Sequence, residues 1–240
     1  GSGRRRVGWH VAMALAERGY QLAIHYHDAA AGAAETVAPL SGRGVTAQAF
    51  QADLADSAAV CQLVADVRDR FGRIDVVVNC AAIWERQRLE DVTADDLRRH
   101  FEINALATFL CGQEAGLIMV AQPEGGVIVN LSDWATARPY RDFAAYFASK
   151  GAVEAITRSL AVELAARNPR VRVNCILPGP VMLPADLPAE ERARSIAGTL
   201  VKREGTPEHV AHAVLFLVEN DFVTGACIPL DGGRSIHASE

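Results

Sequence analysis

Three residues in this chain could move a proton together. Asp133 closes the run Asn130-Leu131-Ser132-Asp133, Tyr146 follows thirteen positions later, and Lys150 four after that. A Tyr-x-x-x-Lys spacing puts a phenol and an ammonium on one face of a helix. A nearby cation lowers a phenol's pKa, so the expectation is a phenol that gives or takes a proton near neutral pH. The spacing alone is a weak pattern. It gains weight from a carboxyl at the end of the preceding apolar run and from the order of the segments around it.

Those segments read as strands alternating with helices. The apolar, β-rich runs are 22–26, 45–49, 74–78, 127–131, 171–177 and 226–230. Amphipathic helical patterns lie near 7–18, 30–40, 57–71, 94–120, 143–166 and 207–218. Buried strands alternating with helices predict an α/β fold: one Rossmann-like, doubly wound parallel sheet in a single domain over 1–240. No strand pattern precedes the opening glycine-rich turn, so a central first strand is expected to be missing from the sequence as given. The stretch 178–205 is rich in Pro, Ala and charge and reads as an irregular lid or substrate loop.

Several segments have the makings of a cofactor site. Gly1, Gly3 and Gly8 bracket Arg4, Arg5, Arg6 and Val7 before a helix. Such a turn lets backbone N–H groups approach a pyrophosphate at a helix start, and guanidinium groups suit phosphate; a plain charged turn is the alternative. Asp53, followed by Leu54, could accept from an adenine amino group or cap the helix that follows. Asn79, Cys80 and Ala81 end a buried strand with small residues that let a ribose lie close, or form an ordinary strand-end turn. Asn104 lies inside a helical pattern where Asn is unfavourable, which points to a buried hydrogen-bonding task.

Composition narrows the classes. The chain has 240 residues, is half hydrophobic and carries a net charge of −5, which suits one domain with a sizeable core. No basic patch suggests nucleic acid, no apolar run reads as long enough to span a bilayer, and no signal-peptide pattern is seen. The five cysteines lack metal-ligand spacing and read as free thiols of a cytoplasmic protein, with no metal site expected.

Together these segments resemble the short-chain dehydrogenase/reductase family across essentially the whole chain. The matching positions are the glycine turn, Asp53, Asn79 to Ala82, Asn104, Tyr146 with Lys150, Pro178-Gly179, and the ending Val223-Thr224-Gly225 to Asp231-Gly232-Gly233. The resemblance implies a Rossmann-like enzyme using NAD(H) or NADP(H). It implies that Lys150 grips the nicotinamide ribose and tunes Tyr146, that Asn104 helps hold a proton-relay water, and that Pro178, Gly179 and Val181 adjoin the cofactor. It also implies a homotetramer, with 94–120 and 143–166 paired across a two-fold axis.

One position departs from the family pattern. Most members carry serine where this chain has Asp133, and Ser132 would project the other way. A carboxylate beside a developing alkoxide would repel it, so Asp133 argues against an ordinary ketone reductase. It suits a substrate with nitrogen donors or a ring nitrogen that needs a proton. This is similar to the pteridine reductase branch, including dihydromonapterin reductases. There, Trp84 matches an aromatic that sandwiches the pterin, and Met182 and Leu183 fall beside the substrate. Tyr26, where NAD-preferring members carry an acid, favours NADPH over NADH, with Arg4, Arg5 or Arg6 and His27 available for a 2′-phosphate; Asp28 would oppose it. The expected substrate is a small pterin-like molecule. Two other readings stay open: a reductase of another carbonyl or imine, and a non-catalytic NADP-binding regulator.

Overall fold

The computed structural model describes residues 6–237; Gly1, Gly3, Arg4 and Arg5 lie outside them. The chain alternates helix α1 (Val7–Glu17), strand β1 (Leu22–Tyr26), α2 (Ala30–Ser41), β2 (Ala47–Gln51), α3 (Ser57–Phe71) and β3 (Val76–Asn79). The helical stretch 94–120 follows as α4 (Ala94–His100), a π-helical turn (Phe101–Leu106) and α5 (Ala107–Val120). Then come β4 (Gly126–Leu131), α6 (Ala144–Ala165), β5 (Val171–Pro178), α7 (Ala189–Ala197), α8 (Pro207–Glu219) and β6 (Cys227–Leu230).

All strand pairs are parallel, as buried apolar runs joined by helices require. They form two groups, β1-β2 and β3-β4-β5-β6, rather than one continuous sheet. A cavity of about 440 Å³ separates the groups, lined by Leu22, Ile24, Val76 and Val78 on the facing strands and by Val11 and Leu15 of α1. β4 and β5 are buried along nearly their whole length and carry the core, with Ile128, Val129, Val171, Val173 and Ile176 fully enclosed.

Two expectations need correction. The 178–205 segment is not irregular throughout, because α7 forms inside it. Proline at its N-cap and Glu190 and Glu191 in its first turn suit a helix start. And 94–120 is a helix long and apolar enough, by length and composition, to cross a membrane. Its apolar side packs on α3 and α6. Gly112 and Gly116 let α6 approach closely: a Cβ at Gly116 would lie 2.4 Å from a Leu164 methyl carbon.

Candidate active site

β4 ends at Leu131, and the chain continues extended through Ser132 and Asp133. Asp133 caps the short turn Trp134–Thr136. Its Oδ1 accepts from the Ala135 N–H at 2.8 Å, which fixes the carboxyl's orientation. The Tyr146 hydroxyl then donates to Oδ2 at 2.9 Å from the first turns of α6. Ser132 is turned away, donating to the Lys150 carbonyl at 2.9 Å. Period-two alternation along the extended segment accounts for this split.

Burial decides the electrostatics. It pushes the Tyr146 phenol well above its ordinary pKa, and negative Asp133 adds to the rise. The expectation that Lys150 would lower that pKa is therefore overturned by desolvation. Burial also raises the Asp133 carboxyl, against the opposing pull of the Ala135 N–H, the Tyr146 hydroxyl and Lys150. Lys150 is fully enclosed on the same helix, and burial lowers its pKa. In consequence Tyr146 keeps its proton through neutral pH, and Asp133 is the group nearer to exchanging one.

Among the described residues the Lys150 ammonium makes one hydrogen bond, from Nζ to the Leu131 carbonyl at 2.8 Å. A buried ammonium has three donors, so two remain for a ligand. Asn79 at the end of β3 donates to Asn130 at 2.9 Å, and Asn130 donates to Thr157 at 2.9 Å. This ladder locks the strand ends beneath Lys150.

Asn104 is fully buried in the π-helical turn, where an extra backbone residue turns its side chain across to neighbouring segments. It accepts from the Ile83 N–H at 2.9 Å and donates to the Ile83 carbonyl at 3.1 Å and to Ser149 at 3.0 Å. Its carbonyl accepts from Thr108 at 2.8 Å. These bonds tie the Ile83–Trp84 loop to α6 through Asn104.

Trp84 stacks on Phe143, with ring centroids 4.8 Å apart and planes 11° from parallel. The Gln87 N–H donates to the Asp142 carbonyl at 2.8 Å and Arg86 pairs with Asp142 at 2.9 Å, which holds the two loops together. One face of Trp84 is thus already covered by Phe143, which the sequence reading did not foresee. Tyr140 stands edge-on to Phe143 and Phe147, and Tyr146 stands edge-on to Phe143. Phe143, Tyr140 and Trp134 were missed as site residues. Their dense spacing just before Tyr146 was the available signal.

Other predicted residues fall as follows. Asp56, not Asp53, caps α3 by accepting from the Ala58 and Ala59 N–H groups. Asp53 makes a local turn with the Ala55 N–H at 2.9 Å and keeps an oxygen 3.8 Å from His27 Nε2. Leu54 packs against the Phe50–Leu63 cluster. Tyr26 ends β1, and Cys80 and Ala81 line the cavity with Gly8. Gly179 has a steric reason: a Cβ there would meet the Asp231 Cα at 2.5 Å. Pro178 ends β5, and Val181 bridges Gly205. Met182 adopts φ 53°, and the Leu183 N–H donates to Glu204, which pairs with Arg192 at 2.6 Å. Bonds of Leu183 thus stay within the loop.

A dinucleotide fits these residues. α1 starts at Val7 with no side-chain cap from Arg6 and no acidic residue in its first turn, so its start suits a phosphate. Exposed Arg6 and His27 stand near that end of the sheet, and the two spare donors of Lys150 suit a ribose diol.

A parallel α/β sheet with a hydrogen-bonded Asp-Tyr pair and a buried lysine at its strand ends matches the arrangement expected of an oxidoreductase. Residues 2–235 match the family model described as enoyl-(acyl carrier protein) reductase, and the chain belongs to the short-chain dehydrogenase/reductase family. It is 36% identical to an uncharacterized oxidoreductase of Methylorubrum extorquens, over 95% of this chain and 92% of that protein. Among solved structures it is similar to FolM alternative dihydrofolate reductase 1 from Brucella canis complexed with NADP, with TM-score 0.88 and 28% identity, covering 99% of this chain and 93% of that one. It is also similar to a blue fluorescent protein from a metagenomic library in complex with NADPH, with TM-score 0.88 and 34% identity, covering 97% and 94%.

Proposed function

We propose that this oxidoreductase uses NADPH to reduce a pteridine ring. The observation that carries the reading is the Tyr146–Asp133 hydrogen bond at 2.9 Å, with Asp133 buried and its pKa raised. A ketone reductase needs a neutral donor facing the developing alkoxide, whereas a carboxylate there repels it. A ring nitrogen gains from a carboxyl that can deliver a proton. The similarity to an alternative dihydrofolate reductase supports the same substrate class.

NADPH supplies a hydride when bound. Lys150 holds the ribose with its two spare donors, and the α1 start with Arg6 receives the phosphates. Asp133 delivers the proton to the nitrogen beside the reduced carbon. Tyr146 holds Asp133 in place and returns a hydrogen bond as the charge on the carboxylate grows. Trp84, backed by Phe143, offers its outer face to a flat ring and excludes water.

Assembly enters as a proposal too. Leu97, Phe101, Leu106 and Leu117 on 94–120 and Val162 on α6 are exposed, which suits a homotetramer built on these helices. Sedimentation of a monomer alone would remove that part.

The test is turnover of dihydrobiopterin, dihydromonapterin and dihydrofolate beside simple ketones, in wild type and Asp133→Ser. We expect pterin turnover that the variant loses. Turnover of ketones only, or an unaffected variant, returns the protein to general carbonyl reduction. No turnover of any substrate beside tight NADPH binding would favour a regulator.

A further inference from the structure

Two arginines converge at the outer end of the aromatic site. Arg234 lies over the Trp134 ring, 4.8 Å from its centroid, and donates to the Ser195 carbonyl at the end of α7. Arg138 donates to the Arg234 carbonyl at 3.4 Å and to the His237 carbonyl. Among the described residues neither guanidinium reaches a carboxylate within ion-pair distance, while the chain's other close arginine–carboxylate pairs are numerous. The two cations repel each other: burial first, then Arg138, lowers the Arg234 pKa.

The surroundings hold this pair in place. Gly198 makes room for Arg234, since a Cβ there would lie 2.4 Å from its Nη1. Asp231 shapes the turn that presents Arg234, accepting from the Gly233 and Ser235 N–H groups at 2.9 and 2.6 Å. The Leu200 N–H donates to the Gly232 carbonyl at 2.8 Å, so the same turn also seats the substrate loop. Tyr140 links both ends of the site: its hydroxyl feels the negative charge of Asp133 and the positive charge of Arg234. Asp231 acts on the Arg234 charge as well, yet no carboxylate among the described residues pairs with either guanidinium, and a pair held in place in this way suits an anion on the ligand.

We propose that Arg138 and Arg234 bind a carboxylate carried by the substrate, outward of the ring that reacts at Asp133. Taken with the pteridine reading, on which its ring portion rests, the preferred substrate is a dihydropterin with a carboxylate-bearing side chain. Trp134 and Tyr140 form the bridge between the two subsites. Planar bidentate recognition favours a carboxylate over a neutral hydroxyl there.

The test compares kcat/KM for dihydrofolate, which carries carboxylates, with that for dihydrobiopterin, whose side chain is neutral. Exposed Arg138 is changed to Gln alone, and then together with Arg234→Gln. The dihydrofolate-to-dihydrobiopterin ratio should fall about tenfold in Arg138→Gln and further in the double variant, through KM rather than kcat. High salt should lower the wild-type ratio and leave that of the double variant unmoved. An unchanged ratio, or equal losses on both substrates, would overturn the proposal and leave the arginines as a latch for the substrate loop. Calorimetric binding of 4-aminobenzoate against 4-aminobenzamide separates the two readings. If neither pterin is turned over, yet 4-aminobenzoate binds better and Arg138→Gln abolishes that preference, the ring assignment falls and the carboxylate site stands.

Discussion

Replacing Asp133 with Asn should disable the enzyme and stabilise it at once. The Asn carbonyl oxygen keeps the Ala135 N–H bond now made at 2.8 Å, so the turn after β4 survives. What is lost is a buried carboxylate whose pKa burial raises. The sign follows from linkage. A raised native pKa means the native state binds the proton more tightly than the unfolded chain. The wild type is therefore favoured below the unfolded carboxyl's value and loses that advantage as pH rises through the native one. At pH 7 the buried carboxyl costs stability, because the unfolded chain gains by ionising it more readily, and the neutral amide removes that cost. The gain should be on the order of 1 kcal/mol, or about 2–4 °C in Tm for a chain of this size. Near pH 4 or below the gain should vanish, because the wild-type carboxyl is then protonated. Turnover at pH 7 should fall at least about 10²-fold, the usual worth of a positioned proton donor. Calorimetry at pH 4 and pH 7, with initial rates at pH 7, reads all of this. A variant less stable than wild type at pH 7, or one equally stabilised at both pH values, would refute the burial argument.

Other outcomes follow from the same geometry. Wild-type kcat/KM should fall as pH rises through the raised pKa of Asp133, since delivery needs the protonated carboxyl; a pH–rate profile without that limb would place the donor elsewhere. Arg172 on β5 donates to the Leu217, Val218 and Val223 carbonyls at 2.7 to 3.0 Å, capping the end of α8. Arg172→Met should cost about 2–3 kcal/mol by leaving those acceptors unpaired, and a loss under about 1 kcal/mol by denaturant titration would show that water replaces them. Gly179→Ala should raise the KM for NADPH and cost about 1–3 kcal/mol, because the new methyl meets backbone at Asp231 rather than a movable side chain. Trp84→Leu should raise substrate KM about tenfold and leave cofactor affinity alone, as checked by fluorescence titration with NADPH.

Much of this architecture is legible in the sequence because burial writes it there. The apolar run 22–26 and the amphipathic pattern 57–71 match β1 and α3 at their observed bounds, and the other expected elements fall within two residues, except that a π-helical turn divides 94–120. Asp133, Tyr146 and Lys150 were legible because each is an ionisable or polar residue at a position that burial would otherwise fill with carbon. What local pattern does not carry is packing across distance. The Trp84–Phe143 stack joins residues 59 positions apart, and nothing near Trp84 names its partner. The direction of the Tyr146 shift depends on desolvation, which spacing to Lys150 cannot express. Asp53 and Asp56 offer the same chemistry three residues apart, and only backbone geometry shows that Asp56 caps α3. The π-helical turn that aims Asn104 at Ile83 and Ser149 leaves no mark in the 3.6-residue periodicity on either side. α7 is too short and too polar to stand out from the loop that contains it.

The most direct measurement follows a label. The protein is incubated with NADPH deuterated at the transferable position of the nicotinamide and with a dihydropterin, and the product is read by NMR. Deuterium on the ring carbon beside a newly protonated nitrogen, absent in Asp133→Asn, is the predicted result. An unlabelled pterin, together with deuterium on the carbinol carbon of an offered ketone, would contradict pteridine reduction and return Asp133 to a structural role.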